Sequence, residues 1–213
     1  MIGLLILGAG GHGKVVADAA YTLSKWDEIA FLDDREDLKE VAGFRVIGKL
    51  HDYELLKDKY QYAFVAIGNN KLRLQWLNRL AKVGFIIPTI IHLNSIIGRL
   101  CSIGEGTIVM AGSVVNACAT IGQGCILNTC CSIDHDCVLD DGVHVSPGAH
   151  IGGTVNVGRC TWVCIGASIA NNIMIGSNVV VAGGTVVIKN VPDNVIVAGV
   201  PAIIKKQLGD DLN

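Results

Sequence analysis

The C-terminal half of the chain carries an uninterrupted six-residue repeat. Every sixth residue from Ile91 to Val187 is isoleucine, leucine or valine, with no insertion. A period of six matches neither the 3.6 residues of a helix nor the two residues of a simple strand. It is typical of a parallel β-helix, in which each hexapeptide supplies one short strand to one wall of a coil. With three walls to a coil, the array predicts roughly five to six coils.

A second pattern lies within each repeat. The residue four positions after each aliphatic residue points the same way in a strand as the next aliphatic residue. These residues are small or medium-sized, except Ile173, and the inside of the tube should therefore receive one large and one small side chain per wall. Four are cysteines, which act here as compact hydrophobes: Cys101, Cys125, Cys131 and Cys137. The position directly after the aliphatic residue is often Gly, Asn or Asp, types that suit tight corners.

Composition excludes several classes of protein. The chain has 213 residues, enough for two modest domains, and a net charge of −2 without a basic stripe. Neither nucleic acid nor a membrane surface is therefore expected as a partner. The segment between Arg159 and Lys189 lacks charge, but polar residues recur in it in register with the repeat, so no membrane span is predicted.

The eight cysteines and the N-terminus indicate the compartment. No C-x-x-C motif occurs, so neither a disulfide framework nor a zinc site is predicted. The N-terminus lacks the positive region of a signal peptide. A reducing, cytoplasmic location is the expectation.

Residues 1–88 alternate strands with helices, which predicts a half-Rossmann-like α/β domain with a parallel sheet. Strands are predicted at 4–7, 29–32, 62–67 and 85–87, and helices at 15–23 and 71–83. Ligands of such sheets bind at the carboxyl ends of the strands. The rest of the predicted organisation is a connector at 89–96, coils at 97–192 and a C-terminal tail at 193–213.

A glycine-rich loop follows the first predicted strand. Gly8, Gly10 and Gly13 match G-x-G-x-x-G, and Asp33 lies about 20 residues further on, as in dinucleotide-binding proteins. Glycines let the backbone approach phosphates, and the helix N-terminus attracts them. About 88 residues hold only one of the two halves that bind NAD, so a nucleotide sugar is favoured over NAD. A structural turn without a ligand is the alternative.

His135 is the leading candidate for a general base. It lies between Asp134 and Asp136, and a carboxylate neighbour favours the charged imidazole and raises its basicity. Both His135 and His144 occupy repeat positions that should point out of the tube. The alternative for an exposed histidine is that it is a polar residue at a corner of the β-helix without a catalytic role. This is the interpretation for His150. Cys137 should point inward, which argues against a Cys/His nucleophile pair.

These motifs together resemble the hexapeptide-repeat sugar acetyltransferases. The group contains the UDP-4-amino-sugar N-acetyltransferases of the bacillosamine pathway and the sialic acid O-acetyltransferases. The likeness covers essentially the whole chain and rests on these segments: Gly8-Ala9-Gly10-Gly11-His12-Gly13, Phe31-Leu32-Asp33-Asp34, Ala66-Ile67-Gly68-Asn69-Asn70, Ile126-Leu127-Asn128-Thr129, Ile133-Asp134-His135-Asp136-Cys137, Val143-His144-Val145-Ser146 and Ala198-Gly199-Val200-Pro201-Ala202.

The resemblance implies a left-handed parallel β-helix, an exception to the right-handed rule for parallel crossovers. It also implies a homotrimer with active sites between neighbouring prisms, acetyl-CoA as donor and a nucleotide sugar as acceptor. UDP is the nucleotide favoured by family frequency, with GDP and dTDP open.

The resemblance further implies roles for individual residues. His135 matches the catalytic base and Asp136 its acidic partner, where the amino-sugar enzymes carry glutamate. His144 matches the residue beside the acetyl group, and Ile165 and Gly183 match backbone contacts to the pantetheine arm. The nucleotide-sugar contacts match Gly10, Gly11, His12, Asp33, Asp34 and Gly68. No metal site is implied.

Three other functions remain open at this point. The first, in the same class, is O-acetylation of a sialic acid or similar sugar hydroxyl. The second is a non-catalytic, nucleotide-binding trimeric scaffold, against which the outward His135–Asp136 pair argues. The third is an NAD-dependent enzyme.

Overall fold

The computed structural model describes residues 2–209 and divides into two compact units, with the boundary between Leu93 and Asn94. That boundary falls within the predicted connector. Met1 and residues 210–213, which include the end of the predicted tail, lie outside the described residues.

The first unit is an α/β fold, as predicted. Its elements are β1 Gly3–Leu7, α1 Gly11–Thr22, β2 Glu28–Leu32, β3 Glu40–Val41, β4 Phe44–Gly48, a 3₁₀ helix Leu50–Leu56, β5 Tyr62–Val65, α2 Asn70–Val83 and β6 Ile90–Ile91. The sheet order is β3-β4-β2-β1-β5, in which β4, β2, β1 and β5 run parallel. All five residues of β1 are buried, so this interior strand, which lies between β2 and β5, contributes to the core of the unit.

Three local features differ from the sequence prediction. Helix α1 begins at Gly11 rather than at residue 15, because the end of the glycine loop forms its first turn. The β3–β4 hairpin was not predicted, because its turn places Ala42 at φ 51°, a conformation that alanine rarely adopts. The 3₁₀ helix was also not predicted. The strand predicted at 85–87 is reduced to a single bridge between Tyr62 and Ile86.

The second unit is a parallel β-helix with three walls, which confirms the predicted fold class. Its coil strands are β7 Ile96–Ile97, β8 Ser102–Ile103, β9 Ile108–Val109, β10 Val114–Val115, β11 Thr120–Ile121, β12 Ile126–Leu127, β13 Ser132–Ile133, β14 Val138–Leu139, β15 His144–Val145, β16 His150–Ile151, β17 Asn156–Val157, β18 Trp162–Val163, β19 Ser168–Ile169, β20 Met174–Ile175, β21 Val180–Val181 and β22 Val186–Val187, followed by β23 Val195–Ala198 and β24 Ile203–Gln207.

The coil strands stack into three walls. Wall 1 contains β7, β10, β13, β16, β19 and β22; wall 2 contains β8, β11, β14, β17 and β20; wall 3 contains β9, β12, β15, β18, β21 and β23. Each coil strand pairs in parallel with the strand one coil further on, as Val115 does with Ile133. Wall 3 extends past residue 192, because β23 pairs with β21 and β24 returns antiparallel to it.

The tube interior follows the two-residue pattern. The aliphatic position is buried from Val109 to Val187, and the small position is buried from Thr107 to Thr185. Cys125, Cys131 and Cys137 are fully buried, and burial raises the pKa of the Cys131 thiol to about 12. Burial also raises the pKa of the Cys137 thiol, so Cys131 and Cys137 are protonated packing residues.

The corners differ in detail from the prediction. The left-handed conformation falls on the third residue after the aliphatic position, as at Asp136, with φ 57°. Glycine occurs directly after the aliphatic residue for a different reason, namely that successive coils stack closely there. A Cβ on Gly104 would lie 2.6 Å from the backbone of both Gly122 and Gln123 in the next coil.

Two absences hold for residues 2–209, the part of the chain that the structure describes. No helix is long and apolar enough to cross a membrane. No group of three or more His, Cys, Asp or Glu residues is arranged to hold a metal ion.

Candidate active site

His135 stands at the corner between wall 1 and wall 2, in the turn that joins β13 to β14. Its Nδ1 lies 2.7 Å from Oδ2 of Asp136, and both side chains are more than half exposed. The His135 backbone N–H donates to Oδ1 of Asp134 at 2.8 Å, and Nδ2 of Asn116 donates to the same oxygen. Asp134 therefore fixes the turn, and Asp136 orients the ring.

The charges around His135 suit a general base. The hydrogen bond to Asp136, followed by the negative charge of Asp134, raises the pKa of His135 above its usual 6.5. In the neutral ring, the proton on Nδ1 is donated to the carboxylate, which leaves the Nε2 lone pair to accept a proton. This is the tautomer that a base needs.

Gly153 lies one coil beyond His135 on the same corner. The space that a Cβ on Gly153 would fill is 2.6 Å from Nε2 of His135. Within residues 2–209, the Gly153 N–H donates to no acceptor. The corner therefore combines a proton acceptor with a backbone donor that is available to a developing oxyanion.

His144 lies on the outer face of wall 3, as predicted from its repeat position. Its ring stacks on Trp162 of the next coil, with centroids 5.7 Å apart and planes inclined by 8°. Nε1 of Trp162 donates to Oγ of Ser146 at 2.8 Å. Sequence reasoning missed Trp162 and Ser146, although Trp162 is the wall partner of His144.

Ile165 and Gly183 lie at a different corner, between wall 3 and wall 1. They stack on successive coils, where a Cβ on Gly183 would lie 3.3 Å from the carbonyl oxygen of Ile165. The Ile165 side chain is 64 % exposed. Within one chain, His135 and this pair therefore lie at opposite edges of wall 1.

An apolar groove of about 800 Å³ runs along the outer face of wall 2. It starts at Thr120, passes Val138, which directly follows the turn that carries His135, and continues over Asn156 and Met174 to Pro192. Val138 and Met174 are 44 % and 61 % exposed. The groove therefore adjoins the His135 turn through Val138.

The glycine loop lies at one edge of the first unit's sheet. Because β2, β1 and β5 are parallel neighbours, their carboxyl ends bring together the loops at Gly8, Asp33 and Gly68. The N–H of Ala9 donates to Oδ2 of Asp33 at 2.8 Å, which ties two of these loops. The predicted convergence of the three loops is therefore present in the sheet.

The glycines of this loop fall into two sets. Gly8 has φ 99°, and a Cβ on Gly13 would collide with the carbonyl of Gly8, so both serve the fold. A Cβ on Gly10, Gly11 or Gly68 would meet nothing within 4 Å, and none has a left-handed backbone. Packing does not require these three glycines, which are open for a ligand to approach closely.

Asp33 is fully engaged by protein donors. Its Oδ1 accepts from the backbone N–H and Nε of Arg35, and its Oδ2 accepts from Nη2 of Arg35 and the Ala9 N–H. A carboxylate offers about four acceptor positions. A sugar hydroxyl would reach Asp33 only if Arg35 moved. Asp34 accepts the Leu50 N–H at 2.9 Å.

We expect Asp33→Asn to lower the free energy of unfolding by about 1 kcal/mol at pH 7 and by much less near pH 2. Hydrogen bonds from Arg35, then from Ala9, lower the pKa of Asp33 to about 2. A lowered folded-state pKa stabilises the protein above about pH 4, and this stabilisation is lost as pH falls through about 2. The figure is reduced because Arg35 is half exposed and water screens the pair.

Urea unfolding at pH 7, 4 and 2 measures this effect, with the exposed Asp58→Asn as the matched control. An equal loss of stability at all three pH values would contradict the assignment to the Arg35 pair.

A buried cation lies beneath the same edge. Arg73 of α2 is 1 % exposed and donates to the carbonyl oxygens of Ile67 and Gly68 and to Oδ1 of Asn70. Burial, then the charge of Arg73, lowers the pKa of His12 to about 4, so His12 is neutral at pH 7. Sequence reasoning missed Arg73, because an arginine in an amphipathic helix normally faces solvent.

The N-terminal segment matches a known family model. The model is described as the PglD N-terminal domain, and it matches residues 3–80.

Two solved structures resemble nearly the whole chain. The acetyltransferase domain of PglB from Neisseria gonorrhoeae, solved with acetyl coenzyme A, is 40% identical, with a TM-score of 0.92. The match covers 95% of this chain and 98% of that one. PerB from Caulobacter crescentus, solved with CoA and GDP-perosamine, is 34% identical over 96% of this chain and 97% of that one, with a TM-score of 0.91.

A curated relative matches a shorter stretch. The UDP-N-acetylbacillosamine N-acetyltransferase of Bacillus subtilis is 38% identical over 119 residues, 52% of each chain. The matched region therefore spans about half the length of that relative.

Proposed function

We propose an activity for this chain, which belongs to the hexapeptide-repeat sugar acetyltransferases. It transfers an acetyl group from acetyl-CoA to an amino group of a nucleotide-linked sugar. The acceptor is the 4-amino group of an amino-deoxy sugar, and UDP is the favoured nucleotide. The observation that carries the proposal is the exposed His135–Asp136 pair, with Nδ1 held by the carboxylate and Nε2 left to accept a proton. A protein that only assembled or only bound nucleotide would not need this arrangement.

The proposed chemistry is a direct transfer. The amine nitrogen attacks the acetyl carbonyl carbon while its proton passes to Nε2 of His135. The carbon–sulfur bond then breaks, and the departing sulfur of CoA takes that proton, which restores the neutral base. The Gly153 N–H, which donates to no acceptor within residues 2–209, is proposed to stabilise negative charge on the carbonyl oxygen.

The donor site requires a second copy of the chain. His135 and the pantetheine-contact residues Ile165 and Gly183 lie at opposite edges of wall 1. If wall 1 of each copy faces a threefold axis, the His135 corner of one copy meets the Ile165 corner of the next. The outward residues of wall 1 include no Asp, Glu, Lys or Arg, which suits such an interface: Ile96, Val114, Ser132, His150, Ser168 and Val186.

The wall 2 groove supports the same placement of acetyl-CoA. In the proposed trimer it faces the cleft between neighbouring copies. The pantetheine arm is a thin chain of methylenes and amides, which an apolar groove of about 800 Å³ accommodates.

We expect mixed trimers of His135→Ala and Ile165→Glu to regain activity that neither variant has alone. A cleft is intact when one copy supplies His135 and its neighbour supplies Ile165. Random assortment of equal amounts makes about a quarter of the clefts intact. Co-refolding the two variants and measuring thiol release tests this, with each variant refolded alone as control. No recovery in verified mixed trimers would place both residues in one chain's site.

The nucleotide is proposed to bind at the glycine-loop edge. Helix α1 begins at Gly11, so its N-terminal N–H groups favour a diphosphate there. Gly10, Gly11 and Gly68 leave space for its approach. Nε2 of His12 is buried without a hydrogen-bond partner in the described part of the chain, and a ligand group would supply one.

The test is thiol release from acetyl-CoA with UDP-, dTDP- and GDP-linked 4-amino sugars and with free and CMP-linked sialic acid. Turnover with one amino sugar supports the proposal and identifies the nucleotide. Turnover with sialic acid alone assigns O-acetylation instead. Nucleotide-sugar binding without turnover would favour a scaffold.

A further inference from the structure

We propose that Gly153 sets the position of the His135 ring by leaving empty the volume that a Cβ would fill. Gly153 is thus a positioning residue for the base. This inference rests on the proposed function only for its effect on rate, because the effect on the ring is measurable without substrate.

The geometry is specific to the imidazole. A Cβ built on Gly153 would lie 2.6 Å from Nε2, 2.7 Å from Cε1 and 3.2 Å from Cδ2 of His135. All three of its nearest heavy atoms belong to that ring. Contacts this short do not occur for real Cβ atoms, so a side chain at position 153 and the present ring position exclude each other.

The fold itself does not require glycine at this position. The backbone of Gly153 is not left-handed, and the same corner position is filled by larger residues in other coils: Arg99, Ala117, Asn171 and Lys189. The adjacent Gly152 is different, because its Cβ would collide with Asn171 in the next coil. Gly152 therefore serves stacking, whereas Gly153 serves the histidine.

A methyl group at position 153 should displace the ring rather than the coil. The His135 side chain is 55% exposed and can rotate towards solvent, whereas the Gly153 backbone is buried and bonded through its carbonyl to the Asn172 N–H. Rotation would lengthen the 2.7 Å contact with Asp136 and move Nε2. The Gly153 N–H is kept in alanine, so oxyanion stabilisation is not removed.

The experiment compares wild type with Gly153→Ala by kinetics and by NMR titration of the histidine rings. We expect Gly153→Ala to lower kcat about 30-fold, within the range for a misplaced catalytic group, with the thermal midpoint close to wild type. We expect the pKa of His135 to fall towards 6.5, because separation from Asp136 removes the main cause of its increase.

Gly104→Ala is the matched control, because its added methyl group meets backbone rather than His135. It should lower the thermal midpoint and leave kcat and the His135 titration unchanged below that midpoint. A wild-type pKa of His135 in folded Gly153→Ala would overturn the proposal, whatever the rate. A shifted pKa combined with full activity of His135→Ala would instead uphold the ring placement and refute the proposed function.

Discussion

Replacing His135 with alanine is expected to lower kcat by about 1,000-fold while leaving the fold and both substrate affinities close to wild type. A positioned general base contributes about 100- to 10,000-fold. The His135 side chain is more than half exposed, and its backbone N–H bond to Asp134 does not need the ring. The loss should therefore appear in catalysis and not in stability.

Steady-state kinetics with the active sugar, together with the thermal midpoint, measures this effect. His51→Ala is the control, because His51 is an exposed histidine that packs on Trp76, outside the proposed machinery. A His135→Ala variant that kept a tenth or more of the wild-type kcat would mean that the amine loses its proton to another group.

Much of the β-helix could be predicted because its rule is local. Each hexapeptide contributes one inward aliphatic residue and one inward small residue, and Val109 and Thr107 obey the rule as closely as Val187 and Thr185. The exposed position of His135 followed from the same count. Sequence spacing therefore identified the fold and the candidate base together.

Two of the features that escaped prediction depend on residues one coil apart. Trp162 packs on His144, and Gly153 lies against His135. Both contacts join successive coils, whereas the hexapeptide pattern predicts only which way a side chain points within its own repeat. The engagement of Asp33 by Arg35 was also not predictable, because the glycine-loop pattern identifies the acidic residue but not its donors. Contacts between side chains on stacked coils must be seen in three dimensions.

Asp136→Asn is expected to lower kcat about 100-fold and to shift the acid limb of the pH–rate profile to lower pH. The base acts when neutral, so the rate rises with pH through the His135 pKa, which Asp136 raises above 6.5. Removing that charge brings the pKa back towards 6.5. The plateau falls because an amide can hold the wrong tautomer, with its N–H directed at Nδ1.

Asp136→Glu and Asp134→Asn separate the two parts of this effect. Glutamate keeps the charge and, with one more methylene, can still reach Nδ1, so it should keep most of the activity. In Asp134→Asn, the new amide keeps an oxygen for the His135 N–H but removes the second cause of the raised pKa, so the acid limb should shift modestly with the plateau retained. Profiles of kcat/KM from pH 5 to 9 distinguish these outcomes. If Asp136→Asn left both midpoint and plateau unchanged, the 2.7 Å contact would have no part in catalysis.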